Sequence, residues 1–200
     1  MKNEQIEALI LQSLEHELGG VKVYQTALEC VVHPGLKKEW TKYLEETRGH
    51  VTALEGACSE LGIDSKLEAP GRAVVRHVGK ALVEAMKLAL SAGDPAAAEL
   101  VACECVVLAE TKDHLDWELI KKCGEHLPGK AGQALTEAAS KIEDQEDEHL
   151  YHSKGWCREL WVKSLGMNAV LPPPEEVQKV KTAIGAARAE QSAEKARSPS

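Results

Sequence analysis

The chain has 200 residues, 44% hydrophobic and 28% charged, and its 24 basic against 32 acidic side chains leave a net charge of −8. That length suits one domain with a sizeable core, and an acidic chain without a stretch of interleaved Lys, Arg and aromatic residues is not expected to bind nucleic acid. The longest apolar run, Val101 to Ala109, is broken by Glu104 and falls short of the roughly 20 residues that cross a bilayer, so no membrane partner is expected either.

Phe is absent and alternating strand-like runs are missing, so the expected fold class is all-α. Ile6, Leu9, Ile10, Leu14, Leu18, Val21, Leu28 and Val32 keep helical spacing and predict a first helix over about Asn3 to Val32. His33-Pro34-Gly35 stops it, and a second helix runs from about Leu36 to Leu61, closing at Gly62. After a polar stretch from Ile63 to Pro70, Gly71 to Ala92 reads as a third helix. Asp94 and Pro95 start a long helix to about Cys123, and a last long helix runs from beyond Gly129 to about Leu165. The predicted architecture is an antiparallel four-helix bundle of two hairpins joined by a crossover that contains an extra helix. Residues 1–166 are assigned to the bundle, 167–189 to a Pro-rich connection with a short helix over Val177 to Ala189, and 190–200 to a disordered tail. Met1 to Gln5 lead into an amphipathic helix rather than a leader, which predicts a cytoplasmic protein.

Four carboxylates and two histidines recur in order along these helices: Glu17, then Glu46 with His50, then Glu110, then Glu146 with His149. Residues three or four apart share a helix face, so Glu46/His50 and Glu146/His149 can each present a carboxylate and an imidazole to one point. A buried Glu is costly unless it is paired or bound to a metal, and the repeated pattern calls for a shared explanation. Two ions bridged by carboxylates take about four carboxylates and two imidazoles, which is the count supplied here. Glu17 and Glu110 each stand two turns before an aromatic, Tyr24 and Trp117, so the hairpins look like an internal duplication. Second-choice ligands are Glu148 with His152, His114, and Glu104, which read more simply as outer partners of the ligands or as surface groups. Trp40, Trp156 and Trp161 read as core or subunit-interface anchors, and Gly19-Gly20 as a place where another helix comes close. The six cysteines contain no Cys-x-x-Cys pair and read as free thiols.

ELGGVKVY (17–24), EETRGHVTAL (45–54), ETKDHLDW (110–117) and EDEH (146–149) resemble helix motifs of the ferritin-like superfamily, especially rubrerythrins, bacterioferritins and stress-associated proteins of the YciE/YciF type. The resemblance covers about residues 4–165. It implies Glu17 and Glu110 as terminal or bridging carboxylates, Glu46 and Glu146 as bridging ones, and His50 and His149 as nitrogen ligands. Glu146-Asp147-Glu148-His149 is the family's Glu-x-x-His, whereas the residue three before His50 is Thr47 and Glu46 sits one place earlier. The implied cofactor is a pair of metal ions, iron first, with manganese or zinc as alternatives. The implied function is reaction with oxygen or hydrogen peroxide in oxidative or general stress defence, with an external electron donor and a homodimeric assembly. Two alternatives stand beside it: a helical structural or interaction protein with a metal-free or vestigial site, and a di-iron monooxygenase acting on an organic substrate.

Overall fold

The computed structural model describes residues 3–197, which are all-α: seven helices and no strand occur among them. They are α1 (Asn3–Cys30), α2 (Pro34–Leu61), α3 (Pro70–Ser91), α4 (Pro95–His126), α5 (Gly129–Ser164), α6 (Pro174–Val177) and α7 (Ala183–Arg197). Their ends follow local chemistry. His33 caps α2 by accepting the Gly35 N–H at its Nδ1, with Pro34 at the first helical position. Gly62 closes α2 at φ 68, a left-handed conformation that favours glycine. The Asp94 side chain accepts from Ala96 and Ala97 at the start of α4.

Helix α4 runs on to His126 instead of stopping near Cys123. Gly124 is a packing glycine rather than a terminator, because a Cβ on it would stand 2.7 Å from the Thr136 nitrogen and 3.0 Å from the Gly132 carbonyl of α5. Pro128, just beyond Leu127, ends the helix.

Helices α1 and α2 form one antiparallel hairpin and α4 and α5 another; α1 also packs on α4, and α2 on α5. Helix α3 lies along α1 and α4. It runs in the same direction as α1, since Arg72 and Arg76 reach Glu15 while Met86 lies beside Cys30. Gly19 and Gly79 let these two backbones come close: a Cβ on Gly79 would stand 3.6 Å from the Gly19 Cα. The chain thereby returns to the α1–α2 turn, where buried Glu99 of α4 accepts the Val32 and His33 N–H groups. Helix α4 then runs parallel to α2 and antiparallel to α1.

The interior has two apolar lobes. One gathers Tyr24, Leu36, Trp40, Tyr43, Val106 and Trp156 towards the α1–α2 turn, and the other Ile10, Leu14, Leu54, Trp117, Ile120 and Leu135 at the opposite end. Between them lies a layer of buried polar groups. Among the described residues no helix is long and apolar enough to cross a membrane.

The C-terminal segment departs from expectation. In place of one helix over Val177 to Ala189, α6 ends at Val177 and α7 begins at Ala183. In place of a disordered 190–200, α7 is helical to Arg197; residues 198–200 lie outside the described residues. Ala189 and Ala193 are buried, and Arg197 reaches back 2.6 Å to Glu159, a fully buried carboxylate that also accepts from Arg158 and the Val170 N–H. A buried carboxylate needs such compensation, and this long-range ion pair is what orders a segment of small polar residues.

Candidate metal centre

Six ligand-bearing side chains from four helices meet in the polar layer: Glu17 of α1, His50 of α2, Glu110 and Asp113 of α4, and Glu146 and His149 of α5. All are buried, none more than 4% exposed. They form two groups, Glu17, His50, Asp113 and Glu146 in one and Glu110, Glu146 and His149 in the other. Within each group one ligand atom per residue lies within 4.8 Å of every other, and Glu146 belongs to both.

The two imidazoles are held alike. His50 Nε2 donates to the Gln145 side-chain carbonyl at 2.9 Å, and His149 Nε2 donates to Glu46 at 3.0 Å. Each outer bond places the proton on Nε2 in the neutral ring and leaves Nδ1 facing inward, the second layer of contacts that metal-binding histidines use. His50 Nδ1 stands 2.9 Å from Glu146 and 3.4 Å from Glu17; His149 Nδ1 stands 3.5 Å from both Glu110 and Glu146. Despite this proximity, both Nδ1 atoms, both Glu146 oxygens and one oxygen each of Glu17, Glu110 and Asp113 have no hydrogen-bond partner among the described residues. Buried polar atoms are nearly always paired, so seven orphans converging on one layer fit a bound cation.

Aromatic neighbours set the carboxylates. Trp117, two turns beyond Glu110 on α4, donates its indole N–H to Glu17 of α1 at 2.7 Å. Tyr24, two turns beyond Glu17, faces Glu110, and its phenol is held well above its ordinary range by burial and then by that carboxylate's charge. Because α1 and α4 are antiparallel, each aromatic comes level with the glutamate of the other helix, and of the two only Trp117 donates a hydrogen bond to it, the Tyr24 hydroxyl being without a hydrogen-bond partner among the described residues.

Without a metal the layer balances its charge with protons. Burial opposes charge on His50, yet the Glu146 and Glu17 carboxylates outweigh it and push it up to about 11. The same balance, with Glu110 and Glu46 as partners, lifts His149 to about 9. Burial pushes Glu146 up to about 7, against the pull of His50, and holds Asp113 well above the usual carboxylate range, reinforced by Glu146, Glu17 and Glu110.

Of the six first-choice residues, Glu17, His50, Glu110, Glu146 and His149 come together, and Glu46 stands outside both groups as the acceptor for His149. Asp113 escaped the sequence reading, although its place three residues after Glu110 is the same-face spacing that singles out Glu146 and His149. None of the second choices joins. Glu148 pairs with Lys42 and Lys181, and His152 bonds Tyr43. His114 bonds Asp147, and Glu104 accepts from the half-exposed Trp161.

Comparison with family models, curated proteins and solved structures yields no match to this chain.

Proposed function

We propose that this chain is a dimetal carboxylate protein of the ferritin-like kind, holding two iron or manganese ions and reacting with oxygen or hydrogen peroxide in stress defence. The observation that carries the reading is the pair of imidazoles tied outward to Gln145 and Glu46 while their inner nitrogens face unpaired carboxylate oxygens. Two antiparallel hairpins linked by a long crossover support it, since this is the ferritin-like order of helices. The donor set, carboxylate and imidazole without thiolate, suits iron, manganese or zinc.

Bound iron or manganese would supply the electrons that reduce oxygen or peroxide. The chain's own residues divide the work of holding the ions. Glu146, shared by both groups, would be the carboxylate common to the two ions, with Glu17, His50 and Asp113 holding one and Glu110 and His149 the other. Trp117 keeps Glu17 turned inward, and the apolar lobes above and below exclude water. The six cysteines contain no Cys-x-x-Cys pair that could hold a second redox group, so turnover would draw on an external reductant.

Elemental analysis tests the reading directly. Protein expressed with added iron or manganese should carry about two ions per chain, and the ferrous-loaded form should consume peroxide faster than free ferrous ion at equal concentration. Metal-free protein from such an expression would sink the proposal and leave the layer as a structural network of carboxylates and imidazolium groups.

A further inference from the structure

Four branched apolar side chains on two neighbouring helices face solvent: Val74 (64% exposed) and Val78 (49%) on α3, and Leu108 (63%) and Leu115 (52%) on α4. They stand level, because Arg72 and Arg76 of α3 both reach Glu15 of α1, whose next residue, His16, bonds the Ala109 carbonyl of α4. They also share a flank. Lys80, Glu84 and Lys87 of α3 line a cavity with Gly19 and Lys22 of α1, and helical spacing turns Val74 and Val78 away from that side, towards α4. On α4, His114 and Lys121 bond α5, and Leu108 and Leu115 point more than about 90° away from them, towards α3. The result is one apolar strip along the α3–α4 seam.

Leu88 and Leu119, both exposed, lengthen the strip to about 30 Å, and two helices make it about 20 Å wide. That is about 600 Å² on one copy, the area at which specific dimers begin and more than an isolated monomer commonly leaves bare. Its charges are arranged to match themselves. Glu104 and Lys112 stand one turn either side of Leu108. Glu104 accepts the Trp161 indole N–H and Lys112 pairs with Asp116, and both still reach solvent. Turned end for end about Leu108, the strip lays Glu104 on Lys112 of a second copy, twice over. A membrane surface or a partner of one charge sign would instead meet a like charge on one side of Leu108.

We propose that this face joins two copies of the chain, with α4 antiparallel to α4 and α3 to α3 about a two-fold axis at the level of Leu108 and Val78. Nothing in the pairing draws on the metal centre, so its failure would leave the dimetal reading untouched.

The test is sedimentation of the full-length, metal-free protein, and wild type should run as a dimer. A residue on a two-fold axis meets its own copy. Leu108→Glu and Leu108→Lys should therefore each weaken the dimer tenfold or more, and mixing the two should give a one-to-one heterodimer. Val78→Glu and Val78→Lys repeat the test on α3, so that misfolding at one position leaves the other pair to decide. Val32→Glu, at a residue 58% exposed beside the α1–α2 turn, should dimerise as wild type does. The proposal is overturned if wild type is monomeric, if Leu108→Glu and Val78→Glu both dimerise like wild type, or if folded Glu and Lys variants fail to pair on mixing. A monomer that binds vesicles of anionic lipid would also overturn it and give the strip to a membrane surface.

Discussion

On α5, Glu146 and His149 stand three residues apart and both turn into the polar layer. On α2, the residue three before His50 is Thr47, whose hydroxyl bonds back to the Tyr43 carbonyl and whose methyl packs beside Gly20. The first hairpin therefore supplies two members of the layer, Glu17 and His50, and the second supplies four. Asp113 of α4 brings in the carboxylate that α2 lacks. The tally of four carboxylates and two imidazoles is kept, while the position of one carboxylate has moved to another helix. The charge that a cation site would have to balance constrains how many carboxylates converge more tightly than which helix carries them.

The sharpest break in this comparison is Glu146→Ala. Glu146 alone belongs to both groups, so both ions should be lost, leaving well under about one ion per chain by elemental analysis; retention of two would refute the shared role. Next come the histidines, one per hairpin. His149→Ala should empty the Glu110 side and His50→Ala the Glu17 side, each leaving about one ion, and equal loss of both ions in either variant would show that the two groups act as one unit. Asp113→Asn should weaken binding more than Thr47→Ala, which should leave metal content at the wild-type level. Smallest is Glu46→Gln: as an outer partner of His149 its change should lower affinity by about 10–100-fold, with two ions still bound at saturating metal.

Acidity separates the metal-free and loaded forms. His50 and His149 are raised from about 6.5 to about 11 and about 9. A folded-state value above the unfolded one gives stability that is complete below about pH 6.5 and fades as pH rises through the folded values. Glu146, raised to about 7, acts in the same direction. The chelator-treated protein should therefore lose thermal stability between pH 6.5 and 9. Metal uptake must displace these protons, so the loaded form should gain affinity over the same interval. Melting curves with and without chelator check both signs; parallel pH dependences would contradict the proton-for-metal exchange.

Much of the scaffold is legible in the residues. The caps at His33-Pro34, Gly62 and Asp94-Pro95 are local devices, and the long helices begin and end within a few residues of where they predict. Whether α4 stops near Cys123 or at Pro128 is not decided locally, because a glycine such as Gly124 can pack or terminate until the neighbouring helix is in place. The C-terminal helix was hidden because its anchor, Arg197 on Glu159, spans distant parts of the chain.

The polar layer divides along the same line. That carboxylates and imidazoles recur on helical faces is a matter of spacing, and spacing is written in the chain. Adjacent helical positions, however, differ by about 100° in direction. Whether Glu46 or its neighbour faces inward, and whether Asp113 or His114 does, depends on how each helix is rotated against three others. That rotation follows from burying Trp117, Tyr24, Tyr43 and the rest of both lobes together, so the choice of Asp113 over Glu46 belongs to the packed molecule rather than to any one segment of it.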